Sequence, residues 1–230
     1  MRFRGDCVDF SQRALDQGED VEIVVKSSKQ IVRAKHVIIA VPPALAAELI
    51  GFTPDLPADV RKAAKKTPVW MGEMVKAVAV YDSPFWRNHQ LAGSAMSYKG
   101  PFREIHDHSG PTGDSQTGAL FGFAHSGTFT HHNEEQIAEE FREQLIRLFG
   151  EEAAHPQHIA VMNWAKEKYT TPTRAASAGG FGHELFQQPL GHGKIHWVST
   201  EVATEFGGHL EGAVRAGIQA ALQTGFNLKS

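Results

Sequence analysis

The sequence predicts a mixed fold, α+β or α/β, on three observations. Residues 21–26 and 31–41 are β-branched runs, polar early and apolar at the end of the second, as in half-buried strands. Within residues 133–149, Ile137, Phe141, Leu145 and Leu148 recur at i, i+4, i+8 and i+11, which places them on one helical face. Further strand-like and helix-like runs follow in mixed order, as a layered α and β architecture requires.

The elements follow in chain order. The turn-forming Ser27-Ser28-Lys29-Gln30 joins the first two strands into a hairpin. Pro42-Pro43 ends the second strand, because proline cannot donate to a ladder, and opens a short helix with Ala44, Leu45, Ala47 and Leu49 on its apolar face. Residues 59–66 form a short basic helix. Strands are expected at 75–81, with Lys76 inside the run, and at 119–124. Residues 98–117, rich in Gly, His, Asp and Ser, read as a long loop or irregular hairpin. Asn133 caps the long helix, with Gln136 completing a capping box and Gly150 closing the far end. Strands at 159–164 and 195–199 precede a glycine pair, Gly207-Gly208. A final helix over residues 209–224 is expected to bury Val214, Ile218, Ala221 and Leu222.

Composition narrows the function classes. The chain has 230 residues, 41% hydrophobic and 21% charged, ordinary for a soluble globular protein and ample for a core. A net charge of −3 gives no bulk attraction to nucleic acid or an anionic membrane, so neither is expected as a partner. The single cysteine, Cys7, excludes an internal disulfide framework and fits a cytoplasmic setting. The longest apolar stretch, residues 37–51, is interrupted by Pro42-Pro43 and Glu48 and is too short to span a bilayer. The opening residues lack the apolar core of a signal peptide.

Few motifs carry chemistry by themselves. His106-Asp107-His108 and His131-His132 offer ligand atoms, but a His-x-His pair shares a face only on a strand, and no spacing names a third ligand. No metal is assigned. No G-x-S-x-G, G-x-G-x-x-G or Walker A pattern is present. The last block is more informative. A strand and polar turn run into Gly207-Gly208-His209-Leu210-Glu211-Gly212-Ala213, a helix start whose free N–H groups and dipole suit an electron-rich ligand. Its small residues permit close approach by a ligand or by another backbone.

Ser199-Thr200-Glu201 followed by Gly208-His209-Leu210-Glu211-Gly212-Ala213-Val214-Arg215-Ala216-Gly217 resembles the C-terminal flavin-binding signature of the flavin-containing amine oxidases. That family's pattern is strand, G-T-E, a short loop, then G-Y-[ML]-E-G-A-V-x-A-G. Three further blocks agree, in order: Ala34 to Pro43; Met74 to Tyr81 with Pro84-Phe85-Trp86-Arg87; and Asn163-Trp164 with Tyr169. The resemblance implies an amine-oxidase substrate domain joined to the C-terminal part of an FAD-binding domain, lacking the N-terminal dinucleotide-binding βαβ unit. The implied domains are residues 1–42 (partial FAD-binding strands), 43–190 (substrate binding) and 191–230 (C-terminal FAD-binding strand and helix).

The same resemblance implies FAD as cofactor and oxidation of an amine or amino acid to an imine, with oxygen reoxidising the flavin. Lys76 aligns with the lysine that reaches the flavin through a water. Trp164 looks like the tryptophan beside the isoalloxazine. Ser199, Thr200 and Glu201 match the segment that holds the ribityl–phosphate region, and His209 and Leu210 fall where the helix start meets the flavin. Monoamine oxidases frame the substrate amine between two tyrosines. Here His209 stands at the second position, and Arg174 lies near the first, where it would suit a substrate carboxylate better than an ammonium group. The expected protein is therefore a truncated or split amine oxidase, with a separate N-terminal FAD-binding half as a partner. The alternative is a non-catalytic remnant or interaction module that keeps the substrate-domain fold.

Overall fold

The computed structural model describes residues 8–11, 20–25, 27–110, 117–173 and 179–225. The chain divides into two compact units, residues 1–70 with 169–230, and residues 71–168.

In the first unit, strands β1 (Val8–Ser11), β2 (Val21–Val25) and β3 (Gln30–Ala34) pair antiparallel in sequence order. The turn between β2 and β3 places Lys29 at φ 58°, the left-handed conformation that a tight hairpin demands. The expected second strand does not run on to residue 41. It breaks at Lys35-His36, and strand β4 (Val37–Ile39) pairs parallel with a different partner. The His36 and His196 rings meet at this break, Nδ1 to Nε2 at 3.2 Å. Helix α1 (Pro43–Leu49) begins at Pro43 as expected, and strand β5 (Gly51–Thr53) returns the chain to β1, parallel to it. Helix α2 (Ala58–Lys66) buries Val60, Ala63 and Ala64. The core of this unit joins Val21, Val37, Ile39, Phe52 and Val60 to Phe186, Ile195, Trp197 and Ala216, so residues distant in sequence close it.

The second unit is a five-stranded antiparallel sheet in the order β10-β6-β9-β8-β7, with one long helix. Its strands are β6 (Met74–Tyr81), β7 (Ala95–Met96), β8 (Glu104–Asp107), β9 (Gly118–His125) and β10 (His158–Asn163). The stretch read as a loop or irregular hairpin thus contains β8. A short helix, α3 (Phe85–Asn88), follows β6 and buries Phe85 and Trp86. Strand β6 alternates strictly: Val75, Ala77, Ala79 and Tyr81 are buried, and Met74, Lys76, Val78 and Val80 line the other face. Helix α4 (Glu134–Phe149) covers the buried face with Ile137, Phe141, Leu145 and Phe149. Its capping box forms as the sequence predicts: Asn133 Oδ1 accepts from Gln136 N at 2.8 Å, and Asn133 N donates to Gln136 Oε1 at 2.9 Å. Gly150 closes the helix at φ 92°.

The chain re-enters the first unit through strand β11 (Ile195–Trp197) and helix α5 (Leu210–Gln223). The expected buried face of α5 is corrected. Gly212, Ala216 and Ala220 are buried, whereas Val214, Ile218 and Leu222 are exposed and Ala221 is half-buried. The cause is close approach. A Cβ on Gly212 would lie 2.3 Å from the Phe206 carbonyl oxygen and 2.9 Å from Thr200 Oγ1. Only small residues let the helix sit that near the preceding loop, and they outcompete the larger apolar residues for the inner face. Among the described residues, no helix is long and apolar enough to cross a membrane.

Candidate flavin and substrate site

The expected site residues fall into two groups. In the second unit, Lys76 stands on β6, which lies between β10 and β9 and is not an edge strand. Its side chain is on the sheet face turned away from α4, with its Nζ 4.3 Å from the Phe121 ring centroid and 5.6 Å from that of Phe123. Those aromatic faces offset part of the cost of taking an ammonium group out of bulk water. The register places Met162, Lys76, Phe123, Glu104 and Met96 in one row across the five strands. Phe121 and Phe123 meet edge to face, 5.2 Å between centroids. The sequence reading missed both as site residues. Their signal was the alternation within β9, which puts them opposite the buried Leu120 and Ala124.

Trp164 opens the short turn after β10, whose last residue Asn163 pairs with Val75, the residue before Lys76. Asn163 Oδ1 accepts from Ala165 N at 3.1 Å and fixes the turn on which Trp164 sits.

His106 proves to lie on a strand, and its ring and that of His108 both pack on Phe121, at 5.2 and 5.3 Å. They extend the aromatic ledge. Among the described residues, no three His, Cys, Asp or Glu side chains stand close enough to hold a metal ion. Asp107, between the two histidines, is a structural anchor. Trp86 Nε1 donates to its Oδ2 at 2.9 Å, Arg87 Nη2 at 2.8 Å, and Ser109 N to its Oδ1 at 2.8 Å. Burial works to raise its pKa, but the hydrogen bonds from Ser109, Trp86 and Arg87 outweigh it and hold the carboxyl below its ordinary value.

In the first unit, Ser199, Thr200, Glu201, His209 and Leu210 come together where β11 runs out toward α5. Thr200 Oγ1 donates to the His209 carbonyl at 2.7 Å, which ties the strand exit to the helix start. Glu201 is buried. His209 occupies the N-cap position of α5 without a side-chain cap, so the first-turn N–H groups point outward from the helix end. Ser199 Oγ is buried and has no hydrogen-bond partner among the described residues. A buried hydroxyl left unpaired is costly and calls for a polar group from elsewhere. The set therefore fits the polar chain of the flavin that the sequence resemblance implies. Arg174 lies outside the described residues.

The family profile for flavin-containing amine oxidoreductases matches residues 7–223. A Mycobacterium tuberculosis protein named as a flavin-containing monoamine oxidase, AofH, is 35% identical over 206 residues, covering 87% of this chain and 44% of its own length. The flavin-containing amine oxidase B of Bos taurus is 31% identical over 223 residues, covering 90% of this chain and 40% of its own. Among solved structures, putrescine oxidase bound to putrescine superposes with a TM-score of 0.78 at 23% identity, over 95% of this chain and 48% of that one. Cyclohexylamine oxidase from Brevibacterium oxydans gives a TM-score of 0.75 at 24% identity, over 94% and 47%. These structures bear on the fold alone. The chain spans less than half the length of the curated relatives it matches, and it belongs to the flavin-containing amine oxidoreductase family, whose cofactor is FAD.

Proposed function

We propose that this chain forms the substrate-binding part and the C-terminal flavin-binding part of an FAD-dependent amine oxidase acting on a small amine or amino acid. The observation that carries the reading is the buried, unpartnered Ser199 hydroxyl beside Thr200, Glu201 and the uncapped start of α5, within a chain of this family. When bound, the flavin would supply the redox chemistry, removal of a hydride equivalent from the carbon bearing the amine and reoxidation by oxygen.

The chain's own residues bind, orient and tune. Ser199 and Thr200 offer hydroxyls to the ribityl–phosphate chain, and Glu201 can accept from a sugar or ribityl hydroxyl. The start of α5, with His209 and Leu210, places a positive dipole end where negative charge on the reduced cofactor is favoured. Trp164 supplies a flat apolar wall. Lys76 Nζ carries three donors, able to hold a water and to deliver a proton, and Phe121 and Phe123 keep it on the sheet face. That face, rich in Phe, Met and Val, excludes water from the apolar part of a substrate. Arg174 is assigned to a substrate carboxylate, which favours an amino acid over a simple amine. The remaining part of the FAD site is assigned to the half of the relatives' length that this chain does not span.

The test is an FAD titration of the purified chain, alone and with that half supplied, followed by flavin absorbance. An oxidised-flavin spectrum in at least one condition is expected. A colourless protein in both would leave the non-catalytic remnant as the better reading. In the loaded protein, Lys76→Met should slow reoxidation by oxygen roughly 100-fold with the fold retained. Unchanged reoxidation would remove Lys76 from the mechanism.

A further inference from the structure

His36 and His196 are 160 residues apart in the chain, yet their rings meet, with His36 Nδ1 3.2 Å from His196 Nε2 and 5.3 Å between centroids. Neither belongs to the flavin or substrate groups described above. Strand β11 puts Ile195 and Trp197 into the core of the first unit, and so turns His196, between them, to the other face. There it is 1% exposed. His36 stands at the break just before β4 and is exposed. The backbone fixes the two positions against each other. Val37 N donates to the Lys194 carbonyl at 2.8 Å, and Val198 N to the Ile39 carbonyl at 2.9 Å.

A buried imidazole needs partners for both ring nitrogens, and those of His196 decide which one carries the proton. Gln223, at the end of α5, donates its Nε2 to the Gln187 carbonyl at 3.3 Å. That carbonyl can only accept, so the amide is oriented with Oε1 toward His196 Nδ1, 3.1 Å away. Nδ1 therefore carries the hydrogen, and Nε2 turns its lone pair toward His36. This is how a metal-binding histidine is held: one nitrogen donates to an oxygen that orients the ring, and the other ligates.

We propose that His36 Nδ1 and His196 Nε2 form a two-histidine site for a divalent transition-metal ion of the imidazole-binding class, Zn2+ or Cu2+, completed by water. The separation suits such an ion. With metal–nitrogen bonds of about 2.0–2.1 Å, the 3.2 Å between the nitrogens subtends about 100° at the metal, close to the tetrahedral angle. Binding moves the His36 proton from Nδ1 to Nε2, so that both facing lone pairs are available and the neutral pair releases no proton. Water takes the remaining positions on the side of the exposed His36, since no third His, Cys, Asp or Glu joins the pair among the described residues. Mg2+ prefers oxygen ligands and is excluded by the donor set. The ion ties the lead-in to β4, strand β11 and the end of α5 together, and so stabilises the unit that carries Ser199, Thr200 and Glu201. The site is independent of the amine-oxidase reading and needs no flavin.

The probe is Zn2+ alone, titrated calorimetrically into the full 230-residue chain without flavin. The tightest site is expected to take one ion per chain, and Mg2+ to give no binding heat. His36→Gln keeps a hydrogen-bond donor for His196 Nε2 but supplies a poor metal ligand. The fold should therefore persist, as circular dichroism checks, while Zn2+ affinity falls more than about 100-fold. Gln223→Leu removes the orienting oxygen and should weaken binding about 10–100-fold. The chain has 13 histidines, so binding at the surface needs a control. His158→Gln, at an exposed position of β10, should leave the affinity unchanged. In thermal unfolding, Zn2+ at about 100 times its Kd should raise the Tm by about 5–10 °C in the unsubstituted chain and not in His36→Gln. With Cu2+, electron paramagnetic resonance should show coupling to imidazole nitrogen that His36→Gln diminishes. The proposal is overturned by Zn2+ affinity equal in the chain and in His36→Gln, by Mg2+ binding as tight as Zn2+, or by no Zn2+ binding. Any of these would leave the two rings joined by a hydrogen bond alone.

Discussion

Asp107 illustrates what single residues contribute and how little of it is visible before folding. In the sequence it sits between two histidines and suggests a metal ligand. In the structure its carboxylate receives Trp86, Arg87 and Ser109 and joins α3 to β8. Ser109 is a local partner, but Trp86 and Arg87 lie 21 and 20 residues back along the chain, so no local spacing could have announced them. Lys76 was legible for the opposite reason: a charge inside an apolar strand asks for a partner wherever the strand lies. Its aromatic partners on β9 were not legible, because they depend on register. Asp107→Asn keeps the shape and removes the charge, and should cost about 1.5–3 kcal/mol at neutral pH, the usual worth of hydrogen bonds to a charged group. The sign of the pH dependence follows from the depressed carboxyl pKa. The stabilisation is present above about pH 4, where the unfolded carboxyl is ionised, and is lost as pH falls through the lower folded value. Thermal unfolding of both proteins across acid pH should show the gap closing. A constant gap would mean that shape, not charge, sets the contribution.

At the scale of elements, legibility depended on whether local chemistry decided the outcome. Helix α4 was largely readable, because its cap, its Ile137, Phe141 and Leu145 periodicity and its terminating glycine lie within its own sequence; in its last turn Phe149 is buried and the expected Leu148 is half-buried. The break between β3 and β4 was hidden, because the two strands serve different sheets and only the polar Lys35-His36 marks the change. The position of α5 was readable, but its orientation was not. Hydrophobicity alone chose the larger side chains as the inner face, whereas approach distance chose the small ones. Two substitutions in this helix separate those effects. In an ordinary helix interior, glycine to alanine stabilises by about 1 kcal/mol. At Gly217 an added methyl group would have no neighbour within 4 Å, so Gly217→Ala should gain about that amount. Gly212→Ala should instead destabilise the chain, since the new methyl group would meet the Phe206 carbonyl, which backbone cannot easily yield. Chemical denaturation of the two variants should move the midpoint in opposite directions. Equal gains would show that the loop before α5 gives way and that the small-residue stripe is not what orients the helix.

For the whole molecule, the two cores are built differently along the chain. The first draws Val21, Val37 and Phe52 together with Phe186, Ile195, Trp197 and Ala216, and so needs both ends of the sequence. The second is closed within one continuous stretch, from Val75 to Ala153, by Trp86, Phe102, Phe129, Ile137, Phe141 and Leu145. Most of its contacts pair neighbouring strands and the helix that follows them, and its buried Gln144 and Tyr81 side chains find their partners within it. Gln144 holds the Phe102 backbone in both directions, donating to its carbonyl and accepting from its N–H. Tyr81 donates to the Ala153 carbonyl at 3.1 Å, and burial pushes its phenol well above the ordinary value. A core with such local closure predicts that residues 71–168 fold when excised. Phe102 is the probe of choice, being fully buried and packed 4.5 Å from the Phe141 ring. Phe102→Ala should cost about 3–5 kcal/mol in the excised unit and in the full chain alike, measured by denaturant unfolding followed through α4. A cost that differs between the two, or an excised unit without a cooperative transition, would mean that the second core draws its stability from the rest of the chain.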